Sequence, residues 1–317
     1  MTTQVILDTD LAMGAPGSDI DDGFALALAV ADPSIQINAI TTVNGNTDVC
    51  TATELAVKLL EKLTASDIPV FRGADRPLLR EPNHVLREQG ECVLSDATAA
   101  SSAAVKIVEI ARRSKGKLVI LAIGPLTNLA LALRLDPGIV DCISEIVVMG
   151  GVFSESTHRA NMPGEFNIWV DPESAQIVVD SGIRVRFVGL DVTLKTRLGL
   201  DEVEEMEKSE VSFVRYAGKY TREWIKYIAT ENPGVVEDQD SCAMHDPLAV
   251  AALSDSSVIQ WRDAYVKFCC GSESFRGMAI ADFLESKTTR SPNCKVAVDV
   301  DVDKFKKYFY STLSRIS

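Results

Sequence analysis

The sequence predicts an α/β protein built on a doubly wound, mostly parallel β-sheet. Apolar runs alternate along the chain with amphipathic ones, which is typical of repeated strand–helix units. The apolar runs are rich in Val and Ile and show little alternation of period two, as in strands covered by helices on both faces. Neither an internal repeat nor a low-complexity linker interrupts the pattern, so residues 1–317 are predicted to form a single domain.

The individual elements follow from the hydrophobic pattern and the turn residues. Strands are predicted at 4–9, 36–43, 118–123, 144–149 and 184–189, with shorter ones at 263–270 and 295–300. Helices are predicted at 22–31, 49–63, 99–114, 126–134, 173–180, 201–229, 246–253 and near 302–313. The segment 72–98 is predicted to be a loop, and a loop of that length in a compact domain usually carries function.

The chain is strongly acidic, which limits its partners. Its formal net charge is −13 and its pI is near 4.8, so its surface repels the phosphates of nucleic acid polymers and of anionic membranes. A neutral small molecule or a cation is compatible with this charge. The longest apolar run, residues 24–31, is too short to span a bilayer.

The cysteines and the first residues predict a cytoplasmic protein. The seven cysteines are an odd number and include no Cys-x-x-Cys pair, which argues against a disulfide framework and a zinc knuckle. The opening residues, MTTQVILDTD, contain no basic side chain and are not expected to act as a signal peptide. A reducing compartment is therefore the expected location.

Five carboxylates fall within fifteen residues between the first strand and the first helix. They belong to the segments Asp8-Thr9-Asp10 and Asp19-Ile20-Asp21-Asp22. Doubly wound sheets bind ligands at the carboxyl ends of strands, and strand alternation would place Asp8 and Asp10 on one face. Converging carboxylates need a cation or partial protonation, and oxygen-only ligands favour calcium or magnesium. The alternative, helix capping, would need one acid rather than five.

Polar residues also follow other predicted strands or open a later helix. These segments are Asn44-Gly45-Asn46, Ile123-Gly124-Pro125-Leu126-Thr127-Asn128, Met149-Gly150-Gly151, Asn161 with Glu165-Phe166-Asn167, and His245-Asp246-Pro247. Some have a plain structural interpretation, as turns or as a structural histidine–aspartate pair. All offer amides, carboxylates or carbonyls that bind sugar hydroxyls or cations. The residues alone leave both interpretations open.

In this order, the segments resemble the nucleoside hydrolase family, which includes the inosine-uridine-preferring enzymes. Arg276-Gly277 with Asp282, and the ending Val296-Ala297-Val298-Asp299-Val300-Asp301, also resemble the family pattern, so the similarity spans almost the whole chain. The resemblance implies a Rossmann-like core and hydrolysis of the N-glycosidic bond of ribonucleosides to base and ribose, in nucleoside salvage. It also implies a Ca²⁺ ion that activates a water molecule, and a homodimer or homotetramer.

The resemblance implies roles for individual residues as well. The calcium ligands would be the carboxylates of Asp10, Asp22 and Asp246 and the backbone carbonyl of Ile123, where relatives usually have Thr. Asp10 would also be the general base, His245 would help to protonate the leaving base, and Asn46 would complete the shell around the ribose and the metal. The nucleoside would be bound by Asp21, Met149, Asn161, Glu165 and Asn167; Trp224 is added to this substrate-binding set from its position on a predicted helix and not from the resemblance.

Three features depart from the family pattern. The spacer between the two acidic segments is expanded to residues 11–20 and adds Asp19, an acid without a family role. Asn161 lies four residues before Glu165, closer than the family pattern has it. Relatives often carry His-Gly where this chain has Gln89-Gly90, so the sequence does not assign the leaving-group acid or the base preference.

Base recognition is predicted in the loop 72–98 and on the helix around 213–228. The spacing of Tyr216, Tyr220, Trp224 and Tyr227 is compatible with aromatic rings on one helix face. Such a face either packs in the core or clamps a purine, and the sequence does not decide between the two.

Two other functions remain open. A strand followed by Asp8-Thr9-Asp10 imitates the signature of haloacid-dehalogenase-type phosphohydrolases, but that interpretation leaves Asp21-Asp22 and Glu165-Phe166-Asn167 without a purpose. A catalytically inactive, calcium-dependent nucleoside- or ribose-binding protein on the same fold would keep every ligand. Phosphatase and ribose-release assays distinguish the first alternative, and tight binding without turnover would identify the second.

Overall fold

The computed structural model describes residues 2–15, 17–81, 103–284 and 290–316. Its strands are β1 (Thr3–Thr9), β2 (Ile35–Thr42), β3 (Val70–Arg72), β4 (Leu118–Ala122), β5 (Ile143–Met149), β6 (Val185–Val188), β7 (Arg197–Gly199), β8 (Ser241–Ala243), β9 (Ile259–Phe268), β10 (Ala279–Asp282) and β11 (Cys294–Val300). Its α-helices are α1 (Asp21–Ala31), α2 (Val49–Lys62), α3 (Ala103–Ser114), α4 (Thr127–Leu135), α5 (Phe166–Val170), α6 (Pro172–Val179), α7 (Leu190–Thr193), α8 (Leu200–Glu207), α9 (Ser212–Glu231), α10 (His245–Ser254) and α11 (Val302–Leu313).

A nine-stranded sheet runs through the described part of the chain in the order β10-β9-β11-β6-β5-β4-β1-β2-β3. Neighbouring strands from β3 to β6 and on to β11 are parallel, whereas β9 pairs antiparallel with both β11 and β10. The predicted α/β class with a mostly parallel, doubly wound sheet is confirmed. Because the strand order reverses between β1 and β4, the loops after these two strands diverge and open a crevice at their carboxyl ends.

Helices cover both faces of the sheet, which explains the apolar composition of its central strands. β4, with the sequence LVILA, is buried along its whole length. On one face α1 packs against α10 and α11, and the ring of Phe24 contacts those of Phe213 and Phe309. On the other face α4 packs against α3 and α6. The two hydrophobic clusters leave the carboxyl ends of the strands as the place for polar side chains.

The prediction of a single helix at 201–229 is wrong. The chain forms α8 and α9 instead, separated by residues 208–211. Lys208 caps the end of α8, and the hydroxyl oxygen of Ser209 accepts a hydrogen bond of 3.1 Å from the backbone N–H of Val211. A serine side chain that takes a backbone donor in this way competes with the helical hydrogen-bond ladder.

Other differences concern the length of the elements. The strand predicted at 263–270 runs over Ile259–Phe268 instead. The short elements β3, β10, α5 and α7 were not predicted, because three to five residues are too few to show a period. Residues 82–98 of the predicted loop, with Gln89-Gly90, and residues 99–102 of the predicted third helix lie outside the described residues.

The cysteines differ in part from expectation. Cys50 is disulfide-bonded, whereas Cys142, Cys242, Cys269, Cys270 and Cys294 are free. A bond at Cys50 does not amount to a disulfide framework, but it weakens the argument for a reducing compartment. None of the described helices is both long and apolar enough to cross a lipid bilayer.

Candidate active site

The loops that follow β1, β2 and β4 meet around the carboxylate of Asp10. This side chain is fully buried, and its Oδ2 accepts a hydrogen bond of 2.7 Å from the backbone N–H of Asn46. A Cβ atom at Gly45 would lie 1.9 Å from Oδ2, and one at Gly124 would lie 2.8 Å from Oδ1. Two residues without side chains therefore form the cradle that admits this carboxylate between the strand ends.

Three further carboxylates stand beside this cradle at the start of α1 and α10. Oxygen atoms of Asp21, Asp22 and Asp246 lie within 4.8 Å of one another. The backbone N–H of Asp246 donates to Asp21 Oδ2 at 3.0 Å. Asn46 Nδ2 donates to Asp22 Oδ2 at 3.0 Å, and the hydroxyl of Thr9 donates to Asp22 Oδ1. Because helix N-termini favour negative charge, α1 and α10 partly stabilise the charged form of these carboxylates.

Burial and mutual repulsion raise the pKa values of Asp10, Asp22 and Asp246. Burial, followed by the charge of Asp21, raises the pKa of Asp22 to about 7. Burial also raises the pKa values of Asp10 and Asp246 well above the ordinary value, with added repulsion from the neighbouring aspartates. Oδ1 of Asp10 is buried without a hydrogen-bond partner among the described residues. A cation would relieve the repulsion and occupy this oxygen, and an all-oxygen donor set suits calcium or magnesium.

Asp8 has other partners than Asp10, although the sequence placed both on one face. β1 ends at Thr9, so the alternation of the strand stops before Asp10. Asp8 Oδ1 accepts hydrogen bonds from Asn128 Nδ2 at 2.8 Å and from the hydroxyl of Thr41 at 2.5 Å. The prediction of a shared face is therefore corrected: Asp8 links β1 to β2 and α4, and Asp10 alone enters the glycine cradle.

The carbonyl of Ile123 lies directly after β4, next to Gly124. Asn167 Nδ2 donates to this carbonyl oxygen at 3.1 Å and to the carbonyl oxygen of Met149 at 3.3 Å. One amide group thus joins the ends of β4 and β5. A carbonyl oxygen has two lone pairs, so the oxygen of Ile123 keeps one for a cation.

Glu165 caps α5 and holds the glycine turn after β5. Its Oε2 accepts hydrogen bonds from the backbone N–H groups of Gly151 at 2.9 Å and Ile168 at 3.2 Å, and its Oε1 accepts one from Asn167 at 2.8 Å. Burial raises the pKa of this carboxyl group, and the three hydrogen bonds oppose the rise. The side chain therefore fixes the backbone that carries Asn167.

His245 opens α10 beside Asp246. Its Nδ1 lies 2.7 Å from the hydroxyl oxygen of Thr193, which ends α7. Burial lowers the pKa of the imidazole, and the charge of Asp21 opposes this effect. The neutral ring is therefore favoured, and if the hydroxyl of Thr193 donates to Nδ1, the proton of the ring is on Nε2.

The expanded loop after β1 packs against the aromatic side chains of α9. The hydroxyl of Tyr216 donates to the carbonyl of Met13 at 3.4 Å, and a Cβ at Gly17 would lie 3.5 Å from the ring of Tyr227. Trp224 stacks on Tyr227 with ring centroids 5.5 Å apart, and it also packs against the hydrophobic core. This aromatic face is thus partly core, and its role in base binding stays a prediction.

Most of the predicted site residues come together in the structure. Asp10, Asn46, Asp21, Asp22, Asp246, Ile123, Met149, Glu165, Asn167 and His245 are connected by hydrogen bonds, neighbouring backbone or direct charge interaction. Asn161 lies in an exposed turn, and no hydrogen bond in the described part of the chain joins it to this group. Its assignment to the sugar stays a prediction.

Comparison with known proteins identifies the family. The model of the inosine-uridine preferring nucleoside hydrolase family matches residues 5–307. The chain belongs to this family. It is 32% identical to the inosine-uridine preferring nucleoside hydrolase of Crithidia fasciculata, over 100% of the chain and 99% of that protein. It is 31% identical to the pyrimidine-specific ribonucleoside hydrolase RihA of Salmonella schwarzengrund, over 96% of each protein.

Solved structures agree with this assignment. A plant nucleoside hydrolase, PpNRh1, is similar with a TM-score of 0.86 and 26% identity, over 99% of both chains. The purine-preferring ribonucleoside hydrolase from Gardnerella vaginalis is similar with a TM-score of 0.83 and 26% identity, again over 99% of both chains. The chain is therefore an enzyme, a hydrolase that acts on N-glycosyl compounds.

Two side-chain contacts in the site of this nucleoside hydrolase were not predicted from the sequence. The hydroxyl of Thr9 donates to Asp22, and the usable signal was that alternation turns Thr9 to the face of β1 opposite Asp8, which α1 covers. Thr193 orients His245 from 52 residues away. No local pattern marks Thr193, so only the folded chain shows its role.

Gly45→Ala is expected to abolish high-affinity binding of a divalent cation and to lower kcat/KM at least about tenfold, because the new Cβ would occupy the space of Asp10 Oδ2. Calorimetric calcium titration and ribose-release assays measure the two effects. Gly234→Ala is the matched control, since no atom of the described residues lies within 4 Å of a Cβ at that position. Equal calcium affinity in both variants would contradict the cradle.

Proposed function

We propose that this nucleoside hydrolase cleaves the N-glycosidic bond of ribonucleosides to free base and ribose, with a calcium ion held beside Asp10. The observation that carries the proposal is the buried, unpartnered Oδ1 of Asp10 next to a group of carboxylates with raised pKa values. Buried charges of one sign are costly unless an ion neutralises them. The family resemblance assigns the same residues to a calcium site.

The distances and the resemblance differ on Asp21. Its oxygens lie within 4.8 Å of those of Asp22 and Asp246, whereas the resemblance assigns it to the ribose. Asp21 Oδ2 already accepts the N–H of Asp246, while Asp10 Oδ1 has no hydrogen-bond partner in the described part of the chain. We therefore propose Asp10, Asp22, Asp246 and the carbonyl of Ile123 as calcium ligands, and Asp21 as the ligand of the ribose hydroxyls.

The side chains then divide the chemistry among them. A bound calcium ion supplies Lewis acidity that makes water easier to deprotonate. Asp10 accepts the proton, and the N–H of Asn46 orients its carboxylate through Oδ2. Asp21, whose Oδ2 accepts the N–H of Asp246, binds the sugar hydroxyls and so orients the anomeric carbon. The surrounding carboxylates stabilise the positive charge that grows on the ribose in an oxocarbenium-like transition state.

The relatives named above differ in the nucleoside base that they prefer. The relatives named above are inosine-uridine preferring, pyrimidine-specific and purine-preferring. In this chain the stacked pair Trp224 and Tyr227 lies on α9, where an aromatic platform would favour a purine. Salvage of nucleosides is the corresponding physiological role.

We also propose one domain over residues 1–317 and assembly into a homodimer or homotetramer. The sheet supports a single domain, because it contains strands from both ends of the chain, β1 and β11. Self-association is supported by the edge strand β10, where Ile280 is 68% exposed, followed by Leu284, which is 73% exposed. Light scattering coupled to gel filtration measures the assembly.

The proposed reaction is tested by a reducing-sugar assay on inosine, adenosine, guanosine, uridine and cytidine, before and after chelation. Ribose release that is lost on chelation and restored by calcium would support the proposal and give the base preference. Tight nucleoside binding without release would support an inactive binding protein instead. Phosphate release from nucleotides would favour the phosphohydrolase alternative.

His245→Ala is expected to lower kcat on ordinary nucleosides by on the order of a hundredfold, because the departing base loses its proton donor. With p-nitrophenyl β-D-ribofuranoside, whose leaving group needs no proton, kcat should change only a few-fold. Thr193→Val removes the hydroxyl that orients the ring at 2.7 Å, so it should show a smaller loss with the same dependence on leaving group. Equal losses on both substrates would exclude His245 as the donor.

A further inference from the structure

Arg276 is a buried arginine that reaches the end of α5, the helix that carries Asn167. Only 2% of its surface is exposed. Its Nε donates to the carbonyl of Trp169 at 3.1 Å, and its Nη2 donates to the carbonyl of Val170 at 3.2 Å. The last carbonyls of a helix have no partner within the helix, and a cation is favourable there. Arg276 therefore caps the carboxyl end of α5.

Glu173 fixes the guanidinium group in this position. Arg276 Nη1 donates to Glu173 Oε1 at 2.9 Å, and Nη2 donates to Oε2 at 3.0 Å. Glu173 lies in the first turn of α6, directly after α5. A bidentate arginine–carboxylate pair adds direction as well as strength, because both groups are planar. The same guanidinium thus holds the end of α5 and the start of α6.

Two glycines bring the turn of Arg276 into backbone contact with this segment. Gly277 has φ +74°, and a Cβ there would lie 2.6 Å from Trp169 Cα. A Cβ at Gly164 would lie 2.4 Å from the carbonyl oxygen of Gly277. Side chains would separate the two backbones at both points. The turn therefore docks against both ends of α5.

α5 has only five residues, too few to be stable without such contacts. Glu165 holds its amino end, and Asn167 in its first turn binds the carbonyls of Ile123 and Met149. We propose that Arg276 is a positioning residue of the nucleoside site, which sets Asn167 and the carbonyl of Ile123 by anchoring α5 from its carboxyl end. The inference rests on the proposed function for its catalytic consequence, but not for the anchoring itself.

Arg276→Lys is the main variant, because an ammonium group keeps the charge beside Glu173 but cannot serve two carbonyls and two carboxylate oxygens in one plane. Glu173→Gln keeps the arginine but weakens its pairing with residue 173. It serves as the test variant if Arg276→Lys does not fold. Arg186→Met is the matched control, since Arg186 is 8% exposed and pairs with Glu145 at 2.9 Å near the start of β5. Each holoenzyme is compared by hydrogen exchange of the peptide 164–171, by calcium titration and by kinetics on a ribonucleoside.

We expect faster exchange of residues 164–171 and at least about a tenfold loss of kcat/KM in Arg276→Lys. Calcium affinity should fall less than kcat/KM, because the carbonyl of Ile123 is one of four proposed ligands and the three carboxylates stay in place. Glu173→Gln should show the same pattern to a smaller degree, and Arg186→Met should show neither effect. Unchanged exchange at 164–171, or a kinetic loss no larger than that of Arg186→Met, would overturn the inference. An inactive wild type would overturn the proposed function, while the exchange data would still decide whether Arg276 anchors α5.

Discussion

Asp10→Asn is expected to lower kcat by on the order of a thousandfold at saturating calcium, the largest effect of any single substitution proposed. Asparagine preserves the shape of the side chain, so the glycine cradle formed by Gly45 and Gly124 still admits it. The amide cannot accept the proton that we assign to the carboxylate of Asp10, and it is a weaker calcium ligand. Ribose-release kinetics over a range of calcium concentrations separate the loss of base from the loss of metal.

Asp8→Asn is the matched control for this experiment. Asp8 is as fully buried as Asp10 and lies two residues earlier, but its partners are Thr41 and Asn128. The same substitution there should lower kcat less than about tenfold, because it leaves the proton acceptor in place. Equal losses at the two positions would show that Asp10 acts through stability alone. A kcat for Asp10→Asn within tenfold of wild type would remove it as the general base.

The second large effect is a loss of stability of the calcium-free protein as the pH rises. Burial raises the pKa of Asp8 and Asp22 from 3.8 to about 7, and the pKa values of Asp10 and Asp246 shift in the same direction. Between about pH 4 and 7 the folded state therefore holds more protons than the unfolded state, and the free energy of unfolding falls with pH by on the order of several kcal/mol. Calcium binds the deprotonated carboxylates, so it should stabilise the protein far more near pH 8 than near pH 5.

Other titratable groups do not reverse this trend. The pKa values of Asp136, Asp299 and Glu207 are lowered by their Arg or Lys partners, and the stability they contribute is lost only on acidification below their unfolded pKa values. His245, whose pKa burial lowers, adds a rise in stability with pH below its ordinary value. It is a single group, whereas the raised pKa values of Asp19, Asp171 and Glu165 add to the effect of the four aspartates named above.

Thermal unfolding in a chelator and in excess calcium, across this pH range, measures the effect. Asp22→Asn removes one of the repelling charges, so it should raise the melting temperature of the chelated protein near pH 8 and abolish the stabilisation by calcium. Stability of the chelated wild type that increases from about pH 4 to 7 would contradict the assignment of the raised pKa values. An increase in melting temperature by calcium that is equally large near pH 5 and near pH 8 would contradict it as well.

The elements that the sequence predicted well are those with a strong local signal. β1, β2, β4 and β5 are rich in branched apolar residues, and their predicted bounds agree with the structure within one residue. The clustering of acids after β1 predicted a cation site, because parallel strands end at a common edge. Family resemblance then supplied roles that spacing alone left open, such as that of the carbonyl of Ile123.

Predictions were wrong where a local pattern had to be extended beyond its element. The alternation that placed Asp8 beside Asp10 ends with β1 at Thr9. The helical period from 201 to 229 continues across residues 208–211, where the backbone leaves the helix. A hydrogen bond that the sequence pattern does not reveal accompanies each difference: Asn46 N–H donates to Asp10 Oδ2, and Val211 N–H donates to Ser209 Oγ.

The sequence by itself determined the sheet, the acidic cluster and the family of this protein, because hydrophobic period, charge and motif order are properties of neighbouring residues. The tertiary structure decided which carboxylate enters the glycine cradle, which hydroxyl orients His245 and which arginine holds α5. Arg276 lies more than 100 residues from its partners in α5 and α6. Contacts over such distances depend on the closure of the whole sheet, so no local window of the sequence contains them.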